Sequence, residues 1–194
     1  MAKLSIAAIL VTLFMGSAQA GVIYSEAVNG DLAAQDTVDL GFSIGSNSVL
    51  GRSSFGTDGV DFDGFLFHLG VGQTLTNVIF SAFDQVVVGQ SGLTSTWDLK
   101  TGGHSGGVLS SSTANILDSS DQDFFVGALP LGEGVYAFSP VSMTAPGGVA
   151  SSSWSYEIIF DVQGDNRVPE PESLALFGLG LAGLAISRRK KKLA

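Results

Sequence analysis

The chain has 194 residues, of which 45% are hydrophobic, and it carries a formal net charge of −9 at pH 7. It contains no cysteine, which excludes disulfide bonds, thiolate metal sites and a cysteine nucleophile. Most of the basic residues lie near the C-terminus, so the long region before them is strongly acidic, and nucleic acid is excluded as a partner.

The first 20 residues have the three parts of a secretory signal peptide. Lys3 is a positive charge near the start, residues 4–15 are almost entirely apolar, and Ala18 and Ala20 provide the small side chains of a cleavage site. We therefore predict that residues 1–20 are a signal peptide, cut after Ala20. The alternative is an uncut N-terminal anchor, for which the apolar run is shorter than the roughly 20 residues of a membrane span.

Residues 21–167 are predicted to form one β-sandwich domain. Glycine and serine interrupt this region at short intervals, and no long segment has the 3.6-residue period of a helix. Apolar and polar residues alternate most clearly in 153–162 and in 37–44, where one face has Val38, Leu40, Phe42 and Ile44. Further strands are predicted at 48–50, 65–69, 75–83, 94–100, 124–127 and 135–141. This pattern is typical of an all-β fold, an antiparallel and jelly-roll-like β-sandwich, which we expect between an N-terminal signal helix and a C-terminal transmembrane helix.

One stretch of the body has a distinctive spacing. Its residues at alternate positions share one strand face, and they are Asp61, Asp63, Phe65, Phe67 and Leu69, followed by Gly72 and Leu75. Together with the later segment 129–138, this stretch resembles the bacterial pre-peptidase C-terminal (PPC) domain. The resemblance implies a jelly-roll-like accessory module without catalytic residues. Residues 84–128 between the two segments exceed the length usual for that compact domain.

Two groups of aspartates share the same spacing and precede phenylalanines. The first is Asp58, Asp61 and Asp63, and the second is Asp118, Asp121 and Asp123. Clustered carboxylates on turns are hard oxygen ligands of the kind that Ca²⁺ prefers, so both groups are candidate Ca²⁺ ligands, and we expect no other cofactor. The alternative, which we favour, is a pair of Asx turns that lead into strands, because neither group has the spacing of an EF-hand loop.

Residues 103–107 match the G-x-S-x-G pattern of a hydrolase nucleophile elbow, with Ser105 at the nucleophile position. In that fold the catalytic histidine follows the serine along the chain, whereas the two histidines here, His68 and His104, both precede Ser105. A flexible glycine-rich loop is therefore favoured over a hydrolase site. His68 is expected to be exposed to solvent, on the strand face opposite Phe65.

Large aromatic residues raise the question of a sugar-binding surface. Trp97, Trp154 and Tyr156 lie on alternating strands with polar opposite faces, which favours burial in the core. An exposed strip with Phe62 and Leu66 would instead allow sugar rings to stack. The exposure of Trp97, Trp154 and Phe62 distinguishes a carbohydrate-binding module from a structural protein.

The C-terminal tail has three parts in a fixed order. An acidic hinge, residues 168–172, contains Pro169, Glu170 and Pro171; a transmembrane helix is predicted at 173–187; and a basic tail follows at 188–194. The apolar run 174–186 covers about 20 Å as a helix, less than the roughly 30 Å of a bilayer core, so we expect it to anchor the chain only transiently. The basic side chains that act as a cytoplasmic stop-transfer signal are Arg188, Arg189, Lys190, Lys191 and Lys192.

This tail resembles the PEP-CTERM sorting signal of Gram-negative bacteria, with Pro169, Glu170 and Pro171 as its sorting and cleavage motif. The resemblance implies export, transient attachment to the inner membrane with the body in the periplasm, and cutting by an exosortase-like membrane protease. It also implies delivery to the cell surface or the extracellular medium, in an environment of exopolysaccharide and biofilm.

We therefore predict an exported, non-catalytic surface or extracellular-matrix protein. A carbohydrate-binding module and a Ca²⁺-dependent adhesion protein are the alternatives, and a hydrolase that uses Ser105 is the remote one.

Overall fold

The computed structural model describes residues 21–34, 38–56, 59–88, 92–145 and 151–164. The predicted signal peptide, hinge, transmembrane helix and basic tail all lie outside these residues, and so does Asp58. The four predicted segments and the predicted role of Asp58 as a Ca²⁺ ligand therefore remain predictions.

The described chain is almost entirely β-structure, with one helical turn near its start. In chain order the elements are β1 (Gly21–Ser25), α1 (Glu26–Asn29), β2 (Asp39–Gly41), β3 (Gly45–Gly56), β4 (Gly59–Asp61), β5 (Phe65–Leu69), β6 (Gln73–Val88), β7 (Thr94–Thr101), β8 (Val108–Asn115), β9 (Gln122–Asp123), β10 (Gly134–Thr144) and β11 (Ser151–Gly164). The first sheet has the order β1-β3-β11-β6-β9, with β4 paired to β3, and the second sheet has the order β2-β5-β10-β7-β8.

The two sheets form a β-sandwich-like fold around an aromatic core. Phe160 on β11 lies at its centre and is fully buried. Its ring meets four phenylalanines on or next to the second sheet, at centroid distances of 4.7 to 6.2 Å, and these are Phe42, Phe65, Phe67 and Phe138. The sandwich is thus held together by rings that interlock between its two layers.

Strands with a clean alternation behave as the sequence predicts. On β11 the side chains of Trp154, Tyr156 and Ile158 are buried, and the residues between them are half-buried. On β7 the same is true of Trp97 and Leu99. Buried side chains on one face of each strand supply the apolar area that offsets the loss of chain entropy on folding.

The prediction of purely antiparallel sheets is wrong, because both sheets are mixed. β1 pairs with β3 in parallel, and β2 pairs with β5 in parallel, whereas the remaining pairs are antiparallel. In each case the chain leaves one sheet, visits the other and returns before the pair forms. After such a crossover, the returning strand can run either parallel or antiparallel to the strand with which it pairs. The alternation of apolar and polar residues is the same in both cases, so it does not predict the direction.

Two predicted strands are also corrected. The strand predicted at 37–44 is limited to Asp39–Gly41, and Ile44 is 66% exposed instead of facing the core. The chain turns there because the Asn47 side chain accepts a hydrogen bond from the Ser43 N–H at 2.9 Å and donates one to the Ser43 carbonyl at 2.8 Å. The strand predicted at 124–127 is a turn that follows β9, from which Phe124 and Phe125 still enter the core.

Gly51 on β3 is required by its neighbour across the sheet. It pairs with Tyr156 on β11, and a Cβ atom at Gly51 would overlap the phenol of that tyrosine. The Tyr156 ring is fully buried and has no room to move away. We expect Gly51→Ala to lower the free energy of unfolding by about 1–3 kcal/mol through overpacking.

Urea unfolding measures this effect, and Gly127→Ala is the matched control. No atom lies within 4 Å of a Cβ built at Gly127, so that variant is expected to be nearly as stable as the wild type. Equal stability of the Gly51→Ala and Gly127→Ala variants would contradict the close contact.

Candidate functional site

Three carboxylates from distant parts of the chain meet at one edge of the sandwich. Glu26 is the first residue of α1, Asp31 lies two residues after its end, and Asp63 lies between β4 and β5. One carboxylate oxygen from each residue lies within 4.8 Å of the other two. Glu26 is half-buried, Asp31 is exposed and Asp63 is buried, so the group extends from the surface into the protein. We call these three residues the acidic cluster.

Hydrogen bonds hold two members of the acidic cluster in place. Glu26 accepts the N–H of Leu32 at 3.0 Å with Oε1 and the N–H of Arg52 at 2.6 Å with Oε2. Asp63 accepts the Ser53 hydroxyl at 2.5 Å with Oδ2. Its other oxygen, Oδ1, is buried without a hydrogen-bond partner. Buried polar atoms are nearly always paired, so this oxygen marks an incomplete set of interactions.

Burial raises the pKa values of two members of the acidic cluster, Glu26 and Asp63, and nearby negative charges add to both shifts. Burial raises the pKa of Asp63 to about 8; the Ser53 hydrogen bond opposes the shift, and the charges of Glu26 and Asp61 add to it. Burial also raises the pKa of Glu26 against its two backbone hydrogen bonds. Burial and the charge of Asp31 raise the pKa of Asp61. Without a compensating positive charge, this site therefore favours a bound proton on Asp63.

Tyr156 forms the inner wall of the acidic cluster. Burial, together with the nearby carboxylates, raises its pKa well above the usual value, so it stays neutral. The hydroxyl is close enough to influence the pKa of Asp63, although the two groups do not have the geometry of a formed hydrogen bond. The space for this ring is provided by Gly51.

Only part of the acidic cluster corresponds to the residues predicted from the sequence. Asp63 belongs to it, and Asp61 lies near enough to act on its members electrostatically. Glu26 and Asp31 were missed, because they are far from Asp63 along the chain and no local pattern connects them. The only sequence feature that points to Glu26 and Asp31 is that two acidic residues lie close together along the chain. Such pairs are common on protein surfaces.

The second predicted aspartate group is not brought together as a three-carboxylate group within the described residues. Asp118 accepts hydrogen bonds from the N–H of Ser120 at 2.9 Å and from its hydroxyl at 2.7 Å, which is the geometry of an Asx turn. Asp121 accepts the Ser81 hydroxyl at 2.5 Å, and Asp123 is exposed on β9.

The G-x-S-x-G segment lies in a turn between β7 and β8 and not between a strand and a helix. The Nδ1 atom of His104 is 2.7 Å from the hydroxyl of Ser139. His68 is half-exposed and pairs with Asp39, with 3.0 Å between Nδ1 and Oδ1. Neither arrangement places a histidine as the base of Ser105, and the strand–turn–helix context that exposes an elbow serine is missing at this position.

The two tryptophans do not form an exposed platform. Trp97 and Trp154 are 2% and 0% exposed, and Phe62 is half-buried. The expectation that Trp97 and Trp154 are buried in the core is confirmed.

No helix within the described ranges is long and apolar enough to cross a membrane. Comparison with known families matches residues 167–190 to the PEP-CTERM protein-sorting motif. This match supports the interpretation of the tail as a sorting signal. It indicates an exported, surface-directed protein that is processed by an exosortase, which is a membrane protein. A search of curated proteins finds no match to the chain.

The sorting motif begins immediately after the sandwich is complete. The last described strand, β11, ends at Gly164, and the matched segment begins at residue 167. Because β11 lies between β3 and β6, both of its edges are already paired before the motif starts.

Proposed function

We propose that the protein is an exported, non-catalytic component of the bacterial surface or extracellular matrix, which is anchored transiently by its tail and released by an exosortase-like protease. The observation that carries this proposal is the PEP-CTERM motif at residues 167–190. In this proposal, residues 173–187 hold the chain in the inner membrane and the basic residues that follow them stay in the cytoplasm.

The boundary between sandwich and motif supports release of an intact body. Cutting at or near Pro169, Glu170 and Pro171 removes no residue of the described sheets, because β11 ends at Gly164. The released body keeps its aromatic core and the acidic cluster. It also keeps the acidic composition of the region before the tail, which favours hydration and self-repulsion in a polysaccharide-rich environment.

The burial of Trp97 and Trp154 supports a structural or matrix role over a carbohydrate-binding one, because no stacking platform remains from these rings. The likeness of the stretch from Asp61 to Leu75 to the PPC type of domain points in the same direction, since that type is an accessory module. Phe65, Phe67 and Leu69 of this stretch are buried on one face of β5, as their alternation along the chain predicts.

Replacing Pro169, Glu170 and Pro171 with alanine is expected to block processing. The chain should accumulate uncut in the membrane fraction, and the amount released to the surface and medium should fall at least tenfold, because the protease loses its extended recognition segment. Immunoblots of membrane, surface and medium fractions from an exosortase-containing bacterium measure this change.

The matched control replaces Asp165 and Asn166, directly before the matched segment, with alanine; this variant should be processed normally. An otherwise identical strain without exosortase should retain even the wild-type chain in the membrane. Normal release of the triple-alanine variant, or normal release without exosortase, would rule out the proposed route.

A further inference from the structure

We propose that Glu26, Asp31 and Asp63 bind one Ca²⁺ ion, and that this ion ties the segment formed by β1 and α1 to the body of the sandwich. The site belongs to the sandwich and is independent of the tail, so it holds whether or not the chain is processed. It differs from the aspartate groups suggested by sequence spacing, since only Asp63 is shared.

The geometry of the acidic cluster suits Ca²⁺. Its three oxygens lie no farther than 4.8 Å from one another. Two oxygens bound to one Ca²⁺ ion are separated by at most about 5 Å, so this spacing lies within the limit for Ca²⁺, whereas Mg²⁺ needs near-ideal octahedral geometry and gives up its water reluctantly. The donors are all carboxylate oxygens, which are ligands for hard cations and not for softer metals.

An unsatisfied atom independently indicates a missing ligand. Asp63 is 2% exposed, and its Oδ1 atom has no hydrogen-bond partner. A buried carboxylate oxygen that has no hydrogen-bond partner, on a side chain that meets two other carboxylates, leaves a position open for a cation.

Among the described residues, no basic side chain lies within salt-bridge distance of the acidic cluster. Arg52 contributes its backbone N–H to Glu26, while its guanidinium donates to the Ser153 hydroxyl at 3.1 Å. Across the described ranges, the one close contact between a basic and an acidic side chain joins His68 to Asp39, elsewhere in the fold. Asp61 adds a fourth negative charge nearby. A divalent cation would balance this charge more completely than a single proton on Asp63.

The ion would strengthen a weakly held part of the fold. The helical turn α1 has no buried residue, and Val28 within it is 83% exposed. β1 lies at the edge of the first sheet and pairs only with β3 in the described structure. A Ca²⁺ ion shared between Glu26, Asp31 and Asp63 would link this edge to the connection between β4 and β5.

The test uses the full-length chain in mild detergent, after removal of metals with EDTA. Adding about 5 mM CaCl₂ is expected to raise the melting temperature by roughly 5 °C, since sites of this kind bind Ca²⁺ with dissociation constants of about 10⁻⁴ to 10⁻³ M. The fluorescence of the two buried tryptophans reports the transition. Calorimetric titration with CaCl₂ should give one ion per chain.

Two variants and two controls decide the location of the ion. Asp31→Asn changes an exposed residue, and Asp63→Asn keeps the shape of a buried side chain, so both variants should fold. Each variant should weaken Ca²⁺ binding at least tenfold. Asp123→Asn, an exposed aspartate of β9, should bind like the wild type. MgCl₂ at the same concentration should give a clearly smaller shift.

The proposal is overturned if the wild type binds no Ca²⁺, or if the Asp31→Asn and Asp63→Asn variants bind it as tightly as the wild type. It is also overturned if Mg²⁺ stabilises the protein as much as Ca²⁺. Processing of the tail does not enter any of these measurements, so failure here leaves the sorting function untouched.

Discussion

Replacing Phe160 with alanine is expected to lower the free energy of unfolding by about 3–5 kcal/mol, the range for a large aromatic residue removed from a packed core. Phe160 is fully buried, and its ring is the point at which β11 of the first sheet meets Phe65 and Phe67 of the second. The cavity would open between the two sheets, among the phenylalanine rings that now contact Phe160. Urea unfolding followed by tryptophan fluorescence measures the loss.

Ile159→Ala is the matched control for this substitution. Ile159 precedes Phe160 on β11 but points to the opposite, half-buried face of the first sheet. Its loss should cost about 1–2 kcal/mol, because part of its surface already faces solvent. Similar losses for the two variants would show that the contact between the sheets is not the main source of stability.

Metal-free protein is expected to lose stability as the pH rises from about 4 to 8, with a slope that approaches 1.4 kcal/mol per pH unit. The reason is the raised pKa of Asp63, which is about 8 in the folded protein. In the unfolded chain the same carboxyl has a pKa of about 4, so between these values the folded state holds a proton that the unfolded state releases. Its contribution to stability is therefore complete below about pH 4 and is lost as the pH approaches 8.

Neighbouring groups affect the size of this pH effect but not its sign. The raised pKa values of Glu26 and Asp61 act in the same direction. Asp31 contributes negative charge, and Tyr156 stays neutral over the whole range. Asp118 has a lowered pKa and acts in the opposite direction, but it is fully exposed and distant from the acidic cluster. The sum is a net loss of stability toward neutral pH.

Urea unfolding in EDTA at a series of pH values measures this slope. Asp63→Asn should flatten the curve, since an amide exchanges no proton, and the variant should be more stable than the wild type near pH 8 by roughly 3 kcal/mol or more. Asp123→Asn should keep the wild-type slope. A wild-type stability that is constant or rises over this range would show that Asp63 is ionised in the folded protein.

The strands that could be predicted from the sequence are those whose own residues alternate. β5, β7 and β11 each have large apolar side chains at every second position, and these side chains are buried. β8 was not predicted, because it is rich in serine and lies at the edge of the second sheet, where most of its side chains stay exposed. The extended conformation of β8 therefore depends more on its pairing with β7 than on the hydrophobicity of its own residues.

The acidic cluster shows a different limit of sequence reasoning. The sequence placed Asp63 in one aspartate group with Asp58 and Asp61, whereas in the structure it is buried and accepts a hydrogen bond from Ser53. Its partners Glu26 and Asp31 reach it only because β1 pairs in parallel with β3 and carries α1 to this edge. Long-range pairing of this kind leaves no trace in local spacing, so a site that depends on it becomes visible only in the folded chain.

The central position of β11 also has a consequence for how the chain matures. This strand lies between β3 and β6, yet it is the last described segment before the sorting motif. During N-to-C transport across a membrane, the first sheet would remain split, with two open edges, until residues 151–164 had emerged. On the proposed route, closure of the sheet and arrival of the cleavage motif would be nearly simultaneous, so release would follow folding and an unfinished chain would stay tethered.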